Sequence, residues 1–134
     1  MPRLIHEITI DWDFNKHNPC LLAIRIQKLI HFLKLYNIPH IITLTGQGIH
    51  VKIYVNNTSK TTHLIVRSCF NDDYTRLNLD YHRVLSNAKI WNILFTWRHK
   101  KYSQIKKSRE KIIHEKEIEQ IIDTLINKCH ESCL

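Results

Sequence analysis

Residues Ile8-Thr9-Ile10-Asp11-Trp12-Asp13-Phe14 alternate apolar and polar without a break, and such a pattern admits few conformations. A β-strand turns successive side chains to opposite faces, so residues two apart share one. Ile8, Ile10, Trp12 and Phe14 then form one apolar face, while Glu7, Thr9, Asp11 and Asp13 line the other. The apolar face requires a core. The polar face gathers two carboxylates at one strand end, where like charges repel unless a cation or a shared proton neutralises them. The chain carries 20 Lys plus Arg against 12 Asp plus Glu, a formal net charge of +8. A fixed acidic pair within so basic a chain points to metal-assisted chemistry on a phosphate, and the charge itself points to a nucleic-acid partner.

The length of 134 residues fits one domain spanning 1–134, and 43% hydrophobic residues supply a core for it. No apolar run approaches the roughly 18 residues of a membrane span. The sequence from Met1 to Glu7 runs straight into strand-like residues without the apolar stretch of a signal peptide. A cytoplasmic protein with no membrane partner is expected, its cysteines (Cys20, Cys69, Cys129 and Cys133) reduced and forming no disulfide framework. Cys129 and Cys133 with His130 lack the second ligand pair that a structural zinc site needs.

Along the chain, a first strand is predicted over 4–14. Asn18-Pro19 reads as N-cap and first helical residue, opening an amphipathic helix over 19–36 with Leu22, Ile26, Leu29, Ile30 and Leu33 inward and Arg25, Lys28 and Lys34 outward. Asn37-Ile38-Pro39 ends it. Strands over 40–45 and 49–55 follow, joined by Thr45-Gly46-Gln47-Gly48, which contains both glycines of the chain. Glycine serves where φ is positive or where a ligand approaches the backbone, and equally in a plain hairpin turn. In the second strand His50, Lys52 and Tyr54 share the face opposite Ile49, Val51, Ile53 and Val55. A helix is predicted over 58–70, capped by Thr58 or Ser59, then a turn at Asn71-Asp72-Asp73. Residues 77–84 alternate as a strand with Asn78, Asp80 and His82 on its polar side, Ser86-Asn87 is a turn, and 90–97 reads as a further strand. A basic segment over 98–111 precedes a C-terminal helix over about 108–130, with Ile118, Ile121, Ile122, Leu125 and Ile126 as its apolar stripe. The expected class is α/β (α+β), a mixed or antiparallel sheet with flanking helices.

Three short pieces carry chemistry together: Asp11-Trp12-Asp13 closing one strand, Thr45-Gly46-Gln47-Gly48-Ile49-His50 leading into another, and Leu79-Asp80 on a third. In order and approximate spacing this set resembles the motifs of the archaeo-eukaryotic primase superfamily, which includes primase-polymerases of viruses and plasmids. The resemblance covers residues 4 to 97. It implies an RRM-like primase catalytic core and a nucleotidyltransferase of DNA replication, moving nucleotides from NTP or dNTP onto a 3′-hydroxyl on a single-stranded DNA template. At the matched positions it implies that Asp11, Asp13 and Asp80 hold two Mg²⁺ or Mn²⁺ ions, with Asp72 and Asp73 as competing third ligands. His50, with Thr45, Gly46, Gln47, Gly48 and Lys52, would bind the triphosphate. Arg98, Lys100, Lys101, Lys106 and Lys107 would contact the nucleic-acid backbone, with Trp97 and Tyr102 stacking on bases. A helicase or accessory replication subunit is the implied partner. Many relatives carry a zinc-binding insertion or a helical initiation domain, and this chain shows neither. The abundance of Ile, Lys and Asn suits an AT-rich viral or plasmid genome.

Two other classes fit parts of the pattern. A rolling-circle endonuclease of the HUH type would use Tyr102 as nucleophile and a His-hydrophobic-His pair, but Lys52 stands where the second His belongs. A non-catalytic nucleic-acid-binding module would need neither Asp11 nor Asp13.

Overall fold

The computed structural model describes residues 5–88 and 111–132. The expected strand over 90–97 and the basic residues Arg98, Lys100, Lys101, Lys106 and Lys107, with Trp97 and Tyr102, lie outside the described residues.

The alternating N-terminal segment forms β1 (Ile5–Asp13), and a short 3-10 turn, Phe14–Lys16, follows it. Helix α1 (Pro19–Leu35) starts as the sequence predicts, with the Asn18 side chain accepting from the amides of Cys20 and Leu21. Strands β2 (His40–Leu44) and β3 (Gly48–Thr58) form the hairpin, and α2 (Lys60–Cys69) follows under a Ser59 cap. Helix α3 (Tyr74–Leu85), strand β4 (Lys111–Ile112) and helix α4 (Glu115–Ser132) complete the described elements. The class is α+β: among the described residues, a four-stranded antiparallel sheet in the order β1-β3-β2-β4, with four helices. Strands β1 and β2 run the same way with β3 inserted between them, a split β–α–β arrangement whose crossover is α1.

One sheet face is the core. Ile8, Ile10 and Trp12 of β1 stand opposite Ile53, Val51 and Ile49 of β3, and Ile42 of β2 stands opposite Val51. Leu22, Ala23, Ile26, Leu29 and Leu33 of α1 and Ile118, Ile122 and Leu125 of α4 cover them. Each such buried aliphatic side chain contributes about 1.5–3 kcal/mol relative to exposure. The opposite face, with Asp11, Asp13, His50, Lys52 and Tyr54, is left open by these helices.

Helices α2 and α3 close the β1 edge, with Val66 of α2 and Phe70 at its C-cap also packed against the core. Outward backbone groups on alternate residues of β1 meet side chains instead of another strand. The Glu7 carbonyl accepts from His63 Nε2 (3.1 Å), the Thr9 carbonyl accepts from Arg76 Nη2 (2.6 Å), and the Asp11 amide donates to Asp72 Oδ1 (2.7 Å). Trp12 Nε1 donates to the Phe70 carbonyl at 2.8 Å. An edge satisfied in this way cannot template pairing with another chain.

Three expectations are corrected. Residues 77–84 are helical, within α3, not a strand. Asp73 accepts from the amides of Thr75 and Arg76 as N-cap, and that cap outweighs the local alternation. The C-terminal helix starts at Glu115, not near 108, because Lys111 and Ile112 pair with Leu44 and Thr43 as β4. Finally, Cys20 and Cys129 form a disulfide with Cα atoms 5.0 Å apart, while Cys69 is free and exposed. Packing of α1 on α4 brings the two thiols together across 109 residues of sequence, and no cysteine spacing reveals that. No helix among the described residues is long and apolar enough to cross a membrane.

In a chain with only two glycines, asparagine ends the helices. Asn37, Asn71 and Asn87, just past α1, α2 and α3, have φ of 50°, 56° and 56°. The residue after each donates its amide back to the last turn: Ile38 to Leu33, Asp72 to Arg67 and Ala88 to Arg83. This is the Schellman geometry, with Asn in the left-handed position. At Asn71 the reversal delivers Asp72 to the β1 edge.

Candidate functional site

The end of β1, the β2–β3 turn and the start of β3 enclose a recess of about 140 Å³ lined by Asp11, Asp13, Thr45, Gly46, Gln47, Gly48 and His50. Strand register produces it. Asp11 stands opposite His50 and Asp13 opposite Gly48, all on the open face. His50 Nε2 lies 3.0 Å from Asp11 Oδ1, with the side chains 16% and 26% exposed. Asp13 Oδ1 accepts from the Asn15 amide (2.9 Å), so this carboxylate also caps the 3-10 turn. These contacts engage Oδ1 of both carboxylates.

The turn is tied by Thr45. Its Oγ1 accepts from the amides of Gly48 (2.9 Å) and Gln47 (3.2 Å), and its own amide donates to the Gly48 carbonyl at 2.8 Å. The Gln47 carbonyl accepts from the Phe14 amide, fixing the turn against the end of β1. Neither glycine has a positive φ. Gly48 is required by contact, since a Cβ there would collide with the Trp12 carbonyl, whereas a Cβ on Gly46 would meet open space. The expected phosphate cradle therefore has fewer donors than the sequence implied. The amides of Gln47 and Gly48 are already bonded to Thr45, which leaves the Gly46 amide and the Gln47 side chain, beside a His50 held by Asp11. Lys52 is the next residue on the open face of β3, opposite Thr9 and Ile41.

Asp80 does not join this recess. Its place on a third strand is corrected to α3, where it is fully buried. Oδ2 accepts from Arg67 Nη1 (2.8 Å) and Oδ1 from Arg83 Nη1 (2.9 Å), which occupies both oxygens. The two other carboxylates that could have replaced it are engaged as well. Asp72 Oδ2 accepts from Arg67 Nε (2.6 Å) and Arg76 Nη2 (2.7 Å), and its Oδ1 holds the Asp11 amide. Asp73 Oδ2 pairs with Lys16 at 3.2 Å. Burial pushes the Asp73 carboxyl up, but the Lys16 hydrogen bond and the amides of Arg76 and Thr75 outweigh it and hold it below the usual value. The same hydrogen bond raises Lys16.

A divalent cation thus finds two carboxylates here rather than three. Among the described residues no group of three or more His, Cys, Asp or Glu side chains is placed to hold a metal ion. Asp11 and Asp13 still suit a hard cation of the Mg²⁺ type, which binds through one or two carboxylates and takes its other ligands from water and substrate phosphate.

Sequence reading missed Arg67 and Arg76. They carry no motif, and it is their packing with Asp72 and Asp80 against the β1 edge that gives them a role. His63 belongs to the same cluster. Its Nε2 must carry the proton to reach the Glu7 carbonyl, and burial, aided by the charge of Arg67, lowers its pKa to about 4. In a separate depression beside Asp72 and Asp73, Arg25 Nη1 meets His17 Nδ1 (2.9 Å), and burial followed by that charge lowers His17. Compared with known proteins, the chain matches no family model, no curated protein and no solved structure, and its reading rests on this geometry.

Proposed function

We propose that the chain is a nucleotidyltransferase core of the primase-polymerase type, built on an RRM-like sheet, that adds nucleotides from NTP or dNTP to a 3′-hydroxyl on single-stranded DNA. The observation that carries this reading is the recess. Two acids from β1 and, at least 32 residues further on (Asp13 to Thr45), a glycine turn leading into a histidine of β3 line one small polar depression in a chain of charge +8. Nucleotidyl transfer calls for that combination: oxygen donors for a cation beside neutral or cationic donors for phosphate.

In this reading Asp11 and Asp13 would hold Mg²⁺ or Mn²⁺. When bound, the ion lowers the pKa of the attacking hydroxyl and offsets charge on the leaving pyrophosphate. The Asp11 contact orients the His50 imidazole against the phosphates, the Gly46 amide and Gln47 side chain donate from the turn, and Lys52 adds a cation on the same face. Asp80 is not part of the proposed site. The basic residues of 98–111 remain the proposed backbone contacts, a cytoplasmic replication complex with a helicase or accessory subunit the proposed setting.

Incorporation of labelled nucleotide on single-stranded DNA, with Mg²⁺ or Mn²⁺, tests the reading. Wild type should give metal-dependent products, with or without primer, and Asp11→Asn/Asp13→Asn should lower them by at least about a thousandfold, on the scale of a lost metal or oxyanion contact. Undiminished incorporation by the double variant would sink the assignment. A covalent DNA adduct through Tyr102 in place of extension would favour the nicking enzyme instead.

A further inference from the structure

The recess is too small for a whole nucleotide. At about 140 Å³ it falls below the roughly 300–1,000 Å³ of ordinary small-molecule sites, so it accommodates phosphate and cation while sugar and base lie outside. The surface that continues from it is the open face of β3. There His50, Lys52 and Tyr54 follow one another on the side opposite Ile49, Val51 and Ile53, in unbroken register with Asp11, Thr9 and Glu7 of β1. Same-face residues repeat every ~6.8 Å, which puts Tyr54 about 14 Å along the strand from His50.

We propose that this face is a stacking platform for an unpaired base of single-stranded DNA, with Tyr54 as the aromatic surface and Lys52 as the phosphate contact between platform and recess; the inference rests on the nucleotidyl-transfer reading above. Tyr54 is 37% exposed although it lies on a strand paired on both sides, and its amide donates to the Pro39 carbonyl at 2.9 Å. An aromatic ring on so fixed a backbone offers its face at little cost in entropy. The residues directly across from Lys52 are Thr9 and Ile41, both uncharged, with Glu7 and Asp11 at the diagonal positions on the same face. Ile41, 36% exposed, extends the apolar surface on β2. Single-strand binding surfaces combine these two elements, an aromatic face that accepts any base and a cation that follows the backbone.

The test is fluorescence anisotropy of a labelled oligothymidylate, titrated at several salt concentrations. Tyr54→Ala should weaken binding by about 5- to 100-fold, as loss of one stacked base does, while Tyr54→Phe keeps the ring and should bind like wild type. Lys52→Ala should lower the slope of log affinity against log salt by about 0.7, one phosphate contact on a single strand. Thermal melting of each variant checks that the fold is kept, which an exposed tyrosine should allow. Wild-type affinity in Tyr54→Ala, equal losses in Tyr54→Ala and Tyr54→Phe, or no binding by wild type would each overturn the platform. The incorporation assay fails separately: binding insensitive to Tyr54→Ala with normal incorporation removes the platform alone, and Tyr54-dependent binding without incorporation removes the transfer chemistry alone.

Discussion

Two pairs of aspartates lie on either side of one strand backbone, and they are held in opposite ways. Asp72 and Asp80, packed at the β1 edge, are buried, and their four oxygens are taken up by Arg67, Arg76, Arg83 and the Asp11 amide. Asp11 and Asp13, on the open face, are partly exposed and share a recess, Asp11 in contact with His50 and Asp13 accepting from the Asn15 amide. A carboxylate whose charge is cancelled within the protein serves the fold, since removing its partner strands a buried charge. One that is left with charge and access can serve chemistry. The residue type is the same; the difference is who neutralises it.

The strongest way to break the comparison is to strip the buried pair of its shared cation. Arg67→Met removes a donor from both Asp72 and Asp80, and urea unfolding should show a loss of about 3–5 kcal/mol. The network is incomplete as it stands: Arg67 Nη2 and Arg76 Nε and Nη1 are buried with no hydrogen-bond partner among the described residues. Replacing the pair outright, as in Arg67→Met/Asp80→Leu, should therefore recover a good part of that loss. A double variant no better than Arg67→Met would show that the ion pairs themselves, not the stranded charge, set the stability.

The next effect is one of pH. His63 is neutral in the fold with a pKa of about 4 and sits near 6.5 when unfolded. Between these values the unfolded chain binds a proton that the folded one does not, so this contribution is intact above pH ~6.5 and is lost progressively as pH falls toward 4. At pH 5 the loss is about 2 kcal/mol. Stability of wild type and His63→Asn, compared at pH 7 and pH 5, should show the wild type losing more on acidification. Parallel losses would remove His63 from the cluster's electrostatics. A smaller change is expected from Asn71→Ala, about 1 kcal/mol for a left-handed position, with Asn71→Gly close to wild type, as read by thermal melting.

How far the sequence disclosed these arrangements follows from the range of each interaction. Alternation over Ile8–Phe14, the Asn18-Pro19 cap and the glycine turn are local, and β1, α1, the β2–β3 hairpin and the recess appear where they were expected. Leu77, Leu79 and Tyr81 alternate like a strand, which misplaces Asp80. The structure shows Asp73 capping a helix that Asn87 ends, with Leu77, Tyr81 and Val84 on one face of it. The Cys20–Cys129 bond, the short β4 and the seating of the arginine cluster against β1 depend on contacts far apart in sequence, and no local pattern reports them, whereas the Asp72–Arg76 and Asp80–Arg83 pairs are four and three residues apart.

The smallest expected change in stability is also the sharpest test of the contrast. Asp11→Asn keeps a side-chain oxygen for the His50 contact at the same shape, and Asp13→Asn keeps a good cap for the Asn15 amide, since Asn and Asp serve equally at such positions. Neither change touches the core, and each removes one of two neighbouring like charges. Urea unfolding of the double variant should lie within about 0.5 kcal/mol of wild type, the range of surface substitutions, or slightly above it where repulsion is relieved. A loss of 2 kcal/mol or more would place Asp11 and Asp13 with Asp72 and Asp80 as structural acids. Stability unchanged together with nucleotide incorporation abolished would separate the two pairs by function, because an isosteric loss of charge leaves the fold intact only where the protein never supplied the counter-charge itself.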